Sequence, residues 1–234
     1  MISNTIRSAC LRLRSLRKKH RIYNQLSLPD TFRRIYSTKS WGDDGGRFYS
    51  GSGSRGPASE HYCASVIRFI REHRIQSVVD LGCGDFSVGE RIVEATGVQY
   101  TGIDVVPELI EHLKSTVDNP LVSFRCADIT SDPLPAADLC LIRQVLQHLS
   151  NQEIAKALGN LGGFSNVLIS EGVPVHPKSI NRDKQHGPDV RALYGSGVYI
   201  EEPPFSMPVA ELWSYPLKKD LVLKTVLFSR PEPG

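Results

Sequence analysis

From Ser77 to Ser170 the chain alternates short, β-branched apolar runs with amphipathic stretches, and this alternation limits the fold more than any other feature. The runs are Ser77–Leu81, Gln99–Ile103, Leu121–Arg125, Asp138–Arg143 and Asn166–Ser170, and helix-patterned segments lie between them at Ser87–Thr96, Pro107–Val117 and Asn151–Leu158. Parallel strands need crossovers of about a dozen residues, which these segments supply, so the pattern predicts an α/β, Rossmann-like, doubly wound sheet. Two later runs, Leu212–Tyr215 and Leu221–Phe228, are close enough to form an antiparallel hairpin at one edge, for seven strands in a mostly parallel sheet. A further helix is expected from Ser59 to His73, with Ser59 as its cap. In such a sheet the ligand lies beyond the carboxyl ends of the strands.

Charge divides the chain. Residues 1–40 hold ten basic side chains and one acidic, Asp30, although the whole chain carries a net charge of only +3. The expected organisation is therefore a basic amphipathic arm over 1–40, a Gly/Ser-rich loop or lid over 41–58, and one α/β domain over 59–234. Within the arm, Ile6, Ala9, Cys10, Leu13 and Leu16 recur at helical spacing. Such a helix suits packing on its own domain or a second subunit, peripheral contact with an anionic membrane surface through residues 1–24, or a transit peptide. The acidic body argues against nucleic acid as a partner. No stretch reaches the length of a membrane span, and five cysteines without Cys-x-x-Cys spacing suit a reducing compartment. The expected location is the cytoplasm, extending to the inner membrane surface if the arm docks there; oligomeric state is not encoded in any motif.

The stretch Val78-Val79-Asp80-Leu81-Gly82-Cys83-Gly84-Asp85-Phe86 leaves an apolar strand and enters a helix. Gly82 and Gly84, with Cys83 between them, let the backbone turn and approach a ligand closely. Asp104 ends the next strand, at the distance from the glycines where a carboxylate accepts from ribose hydroxyls, with Val105 beside it. A dinucleotide would need a third glycine at position 87, which is Ser87, and Asp85 would face its pyrophosphate. The phosphate-binding pattern G-x-x-x-x-G-K-[ST] does not occur either. S-adenosylmethionine carries a ribose and a sulfonium but no phosphate, so it tolerates these acids, and Asp80 is placed to orient its amino-acid end. Asp128 ends the third strand, where it can accept from an adenine amine while Ile129 meets the ring. A lone aspartate after a strand is ordinarily a cap or turn residue; three at successive strand ends point to a ligand.

The stretches VVDLGCGD, YTGID, RCADIT and DLCLIRQVLQHLS resemble, in order and spacing, the four motifs of the class I S-adenosylmethionine-dependent methyltransferases, over residues 59–234. The sequence departs from that pattern at Phe86, where many members have a third glycine. Trp41-Gly42, Ser50-Gly51-Ser52-Gly53-Ser54, GCGDF, the HLS at 148–150 and Pro203-Pro204-Phe205 resemble a narrower subgroup, some of whose members accompany glycan or polysaccharide genes. That resemblance implies O-methylation of a sugar-like or other small hydroxyl acceptor. Gln144 stands where the subgroup often has aspartate, so no general base carries over to that position.

Methyl transfer to a hydroxyl needs alignment and a base. His148, just after the fourth strand, is the candidate base; its alternative is a ring that caps the next helix or packs beside the cofactor. Arg143, at the strand end, is expected to position the cofactor or the following helix. Glu171 and the loop Val173–Tyr199, with His176, Asn181, Asp183, His186, Asp189 and Arg191, form a candidate acceptor lid. These residues lack tight ligand spacing, so no metal is assigned. Arg55 is placed to pair with the cofactor carboxylate. An amine acceptor, or a non-catalytic cofactor-binding module docked through the arm, are the alternatives in function.

Overall fold

The computed structural model describes residues 22–23, 25–46, 48–218 and 220–229. Seven strands form one sheet: β1 (Ser77–Leu81), β2 (Gln99–Asp104), β3 (Val122–Cys126), β4 (Ala137–Arg143), β5 (Phe164–Pro174), β6 (Ala210–Lys218) and β7 (Leu221–Ser229). Their spatial order is β3-β2-β1-β4-β5-β7-β6. The first five run parallel, and β7 is antiparallel to both β5 and β6. The helices are α1 (Leu28–Ser37), α2 (Pro57–Glu72), α3 (Ser87–Thr96), α4 (Pro107–Thr116) and α5 (Asn151–Gly159). The order reverses at β1 and β4, which is where a doubly wound sheet opens its ligand crevice.

Both faces of the sheet are covered, so the central strands read as unbroken apolar runs. On β1 and β4, Val78, Leu139 and Leu141 pack with α2, α3 and α4, through Val66, Ile92 and Leu109 among others. Their neighbours Val79, Leu81, Cys140 and Ile142 face the other side, with Ile154 and Ala157 of α5.

The structure departs from the sequence expectations at three places. Strand β5 runs through Glu171 to Pro174, because β7 pairs with it from Asn166 to Pro174 and extends the ladder past its parallel neighbour. Helix α2 opens at Pro57 after Gly56, and Ser59 is buried with its hydroxyl donating to the Ser54 carbonyl; proline's fixed φ suits the first helical position. Third, α1 was not expected within the basic arm. Ser27 caps it by accepting from the Asp30 N–H, Thr31, Ile35 and Tyr36 are buried, and Arg33 reaches Glu108 of α4 at 2.8 Å. The amphipathic pattern expected of residues 6–16 lies outside the described residues. So does nearly all of residues 1–24, on which the membrane contact was read. Among the described residues no helix is long and apolar enough to cross a membrane.

Phe86 accounts for the missing third glycine. Its φ is +67°, the left-handed region that glycine adopts freely, and it stands at the N-cap of α3. Its ring is buried against Tyr100 and Phe124, with centroids 5.3 and 5.1 Å away. Core packing offsets the cost of that backbone. Phe86→Ala is therefore expected to lower stability by about 3 kcal/mol, the usual range for a buried phenylalanine truncation, measured by urea denaturation; a loss under about 1 kcal/mol would mean that the ring does not anchor this turn.

Candidate active site

The loop after β1 is held to the end of β2. The N–H groups of Gly82 and Cys83 both donate to the Ile103 carbonyl, at 2.7 and 3.0 Å, and the Gly84 N–H donates to Asp104 Oδ2 at 3.3 Å. Gly82 and Gly84 have φ of +80° and +58°, and a Cβ at either would collide, with Val145 and with Ser50 respectively. The second carboxylate oxygen of Asp104 accepts from the Val106 N–H. Burial pushes the Asp104 carboxyl up to about 6 against the pull of these bonds. Asp80, on β1, accepts from the Tyr100 hydroxyl at 2.6 Å, and burial pushes it too up to about 6. Asp128 closes a turn after β3 by accepting from the N–H and hydroxyl of Thr130.

These groups surround a cavity of about 980 Å³, counting its open mouth. Asp80, Gly82, Cys83, Gly84, Asp104, Val105, Asp128, Ile129, Arg143 and His148 all line it. Its lining holds the carboxylates of Asp80, Asp104 and Asp128 beside the guanidinium of Arg143. Such a lining repels a pyrophosphate and suits hydroxyls, an amine and a cationic centre. Arg143 lies 5.0 Å from the Tyr62 ring centroid and donates to the Gly53 carbonyl at 2.5 Å. Its Nε and the Tyr62 hydroxyl are buried without partners, and both residues line the cavity. Buried donors of this kind ordinarily have an acceptor, so the donor set fits a ligand bearing a carboxylate.

His148 is buried in the wall at the end of a short 3₁₀ turn, Leu146–His148. Its Nδ1 lies 3.2 Å from the Gly187 carbonyl, which can only accept, so Nδ1 carries the proton and Nε2 the lone pair. Burial, with Lys184 nearby, pushes its imidazole down to about 3. Glu171 does not line the cavity. It accepts from the Leu146 N–H at 2.8 Å, supporting the His148 turn, and burial pushes its carboxyl up to about 8.

The loop expected as an acceptor lid meets the cavity wall through its backbone, the Gly187 carbonyl at His148 and the Pro188 carbonyl at Trp41. None of His176, Asn181, Asp183, His186, Asp189 and Arg191 lines the cavity. Their polar groups tie the loop to the body: Arg191 donates to the carbonyls of Arg182 and Leu149, and Asn181 to those of Tyr199 and Pro203. His186 bridges Glu153 and the Leu26 carbonyl. Among the described residues no group of three or more His, Cys, Asp or Glu is arranged to hold a metal. Arg55, expected to meet a cofactor carboxylate, instead pairs with Asp85, Asp44 and the Ser87 hydroxyl. The cover comes from α1 and the segment after it, through Leu28, Phe32, Tyr36, Trp41, Ser50 and Ser54. The sequence signal for it was Ser27-Leu28-Pro29-Asp30, a capped helix start hidden among basic residues; Tyr62 carried no signal, being one more aromatic on an amphipathic helix.

Residues 78–164 match the family model described as a methyltransferase domain. That match spans less than half of the chain, from the start of β1 to the start of β5. The fold of the chain is shared with solved methyltransferases of low identity. The N-methyltransferase NodS from Bradyrhizobium japonicum, solved with S-adenosylhomocysteine, is 14% identical with a TM-score of 0.60, covering 85% of this chain and 99% of that one. Magnesium protoporphyrin IX methyltransferase from Synechocystis, solved with S-adenosylmethionine, is 18% identical with a TM-score of 0.52, covering 86% and 90%. Human N-acetylserotonin methyltransferase is 15% identical with a TM-score of 0.51; the match covers 88% of this chain but only 60% of the human one. No curated protein sequence matches the chain.

The crevice thus holds two carboxyls that burial raises to about 6. In the free protein, Asp80 and Asp104 are expected to titrate near pH 6 rather than near about 4, the usual carboxyl range, in a carboxyl-detected NMR titration. Hydroxyl and ammonium donors need the ionised forms, so nucleoside affinity is expected to fall as pH drops through 6. Midpoints near 4 and an affinity flat down to pH 5 would contradict this.

Proposed function

We propose that the protein moves the methyl group of S-adenosylmethionine to an oxygen of a small, sugar-like or other hydroxyl acceptor, with His148 as general base. The donor supplies a methyl group made electrophilic by a positively charged sulfur. Asp104 would hold its ribose hydroxyls and Asp128 its adenine amine, with Val105 and Ile129 against the ring. Asp80 would take the ammonium, and Arg143 with Tyr62 the carboxylate, so the charges of the wall match a zwitterionic amino-acid end.

The observation that carries the oxygen reading is the Nδ1–H of His148 facing the Gly187 carbonyl, which leaves Nε2 as the accepting nitrogen in a wall of the cavity. As the new carbon–oxygen bond forms and the carbon–sulfur bond breaks, the hydroxyl proton passes to Nε2. The subgroup resemblance of the Trp41-Gly42, GCGDF and HLS stretches supports a glycan-like acceptor. A second reading, transfer to a neutral amine, is favoured by the low basicity that burial imposes on His148.

Labelled methyl transfer to panels of sugar, phenol and amine acceptors, run with wild type and His148→Asn, separates the readings. The oxygen reading predicts a hydroxyl product and a kcat lower by about 10² or more in the variant, as for loss of a general base, with donor affinity nearly unchanged. An amine product with kcat within about threefold of wild type would favour the nitrogen reading. No product from any acceptor, with donor binding intact, would favour the non-catalytic module.

A further inference from the structure

Asp85 is left over from the donor site: it lines the cavity, yet its carboxylate points away from any ligand role and into the cover. Its Oδ2 accepts from the Ser50 N–H at 3.0 Å and from Arg55 Nη2 at 3.3 Å, while its Oδ1 accepts from the Ser87 N–H at 3.2 Å. The exchange is reciprocal, because the Asp85 N–H donates to Ser50 Oγ at 2.7 Å. Ser50 Oγ also meets the Tyr36 hydroxyl at 3.3 Å, and it fills the space that a Cβ on Gly84 would need. One serine therefore touches the glycine loop, the helix α1 and the carboxylate at once. The Asp85 side chain is only 9% exposed. Burial alone would push its carboxyl up, but the bonds from Ser50 and Ser87 outweigh it and hold the group below the usual range.

We propose that Asp85 is a positioning residue that latches the segment Phe48–Arg55 to the cofactor loop, so that cofactor and product leave only when Ser50 and Asp85 part. This rests on the donor assignment above. Ser50, Ser54, Gly84, Asp85 and Ser87 all line the same cavity, so opening this seam opens the wall of the donor site. The Asp85 carboxylate gives the loop a charged acceptor for two donors of the cover, and hydrogen bonds to an ionised group are the stronger kind. Lid opening of this sort commonly sets the rate of product release.

The test measures the dissociation rate of S-adenosylhomocysteine by stopped-flow displacement, together with hydrogen exchange at the Ser50 amide, in wild type, Asp85→Ala, Ser50→Ala and Ser50→Thr. The latch predicts dissociation faster by about tenfold in Asp85→Ala, with association changed far less. It also predicts a smaller acceleration in Ser50→Ala, which of the bonds between Ser50 and Asp85 loses only that from the Asp85 N–H, recovery in Ser50→Thr, and loss of Ser50 amide protection in bound Asp85→Ala. A merely structural role would lower the melting temperature while leaving dissociation and protection as in wild type, and that result overturns the latch alone. Failure of the wild type to bind S-adenosylhomocysteine overturns both the latch and the donor assignment. Should Asp85→Ala not fold, Asp85→Asn, which keeps the shape of the side chain and removes its charge, carries the same comparison.

Discussion

The donations from Gly82 and Cys83 to the single Ile103 carbonyl fix the rest of the site. They tie the loop after β1 to the last residues of β2, and so set the distance between the glycines and Asp104 before any ligand arrives. Left-handed backbone at residues 82, 84 and 86 makes this possible. At the first two, glycine avoids both torsional cost and collision; at the third, a phenylalanine accepts the torsional cost because its ring is buried in the core. The same loop then presents Asp85 to the cover, so one turn positions Asp104, the glycine wall of the cavity and the seam with Ser50 together.

Burying Asp80 and Asp104 in the crevice works against the fold and in favour of the ligand. Their carboxyls are raised in the folded protein, so the stability they favour is present below the unfolded value of about 4 and is lost as pH rises through about 6. At neutral pH both are charged and costly, and donors on a ligand offset that cost. His148 shows the opposite sign: burial and the cationic neighbour Lys184 keep it neutral. Neutrality serves a base, whereas low basicity limits it, and this is why the acceptor atom turns on that one ring.

The sheet and the residues that line the crevice were legible because they rest on local rules. Apolar runs of strand length, turn glycines and an aspartate at each strand end are one-dimensional signals, and β1 and α3 fall where they predict. What was illegible depends on distant pairing. The extension of β5 through Glu171 needs β7, more than forty residues on. The turning of Arg55 to Asp85 rather than toward a ligand needs the fold of the cover. Helix α1 was obscured because the basic side chains around it resemble a solvated arm, while its buried residues Thr31, Ile35 and Tyr36 form too short an apolar stripe to stand out. The loop after β5 looked like a lid because polar loops at this rim often are; its polar groups are consumed by carbonyls of the body instead.

A crevice lined by these carboxylates and one guanidinium suits a phosphate-free, zwitterionic nucleoside. Calorimetric titration of the protein with S-adenosylmethionine, S-adenosylhomocysteine and NAD, beside Asp104→Asn, puts this to the test. Saturable binding of the first two is expected, with no heat from NAD and a weakening by at least about tenfold in the variant, the scale of a lost charged hydrogen bond. Binding of NAD in preference to the sulfonium and its product, or binding indifferent to Asp104, would contradict it.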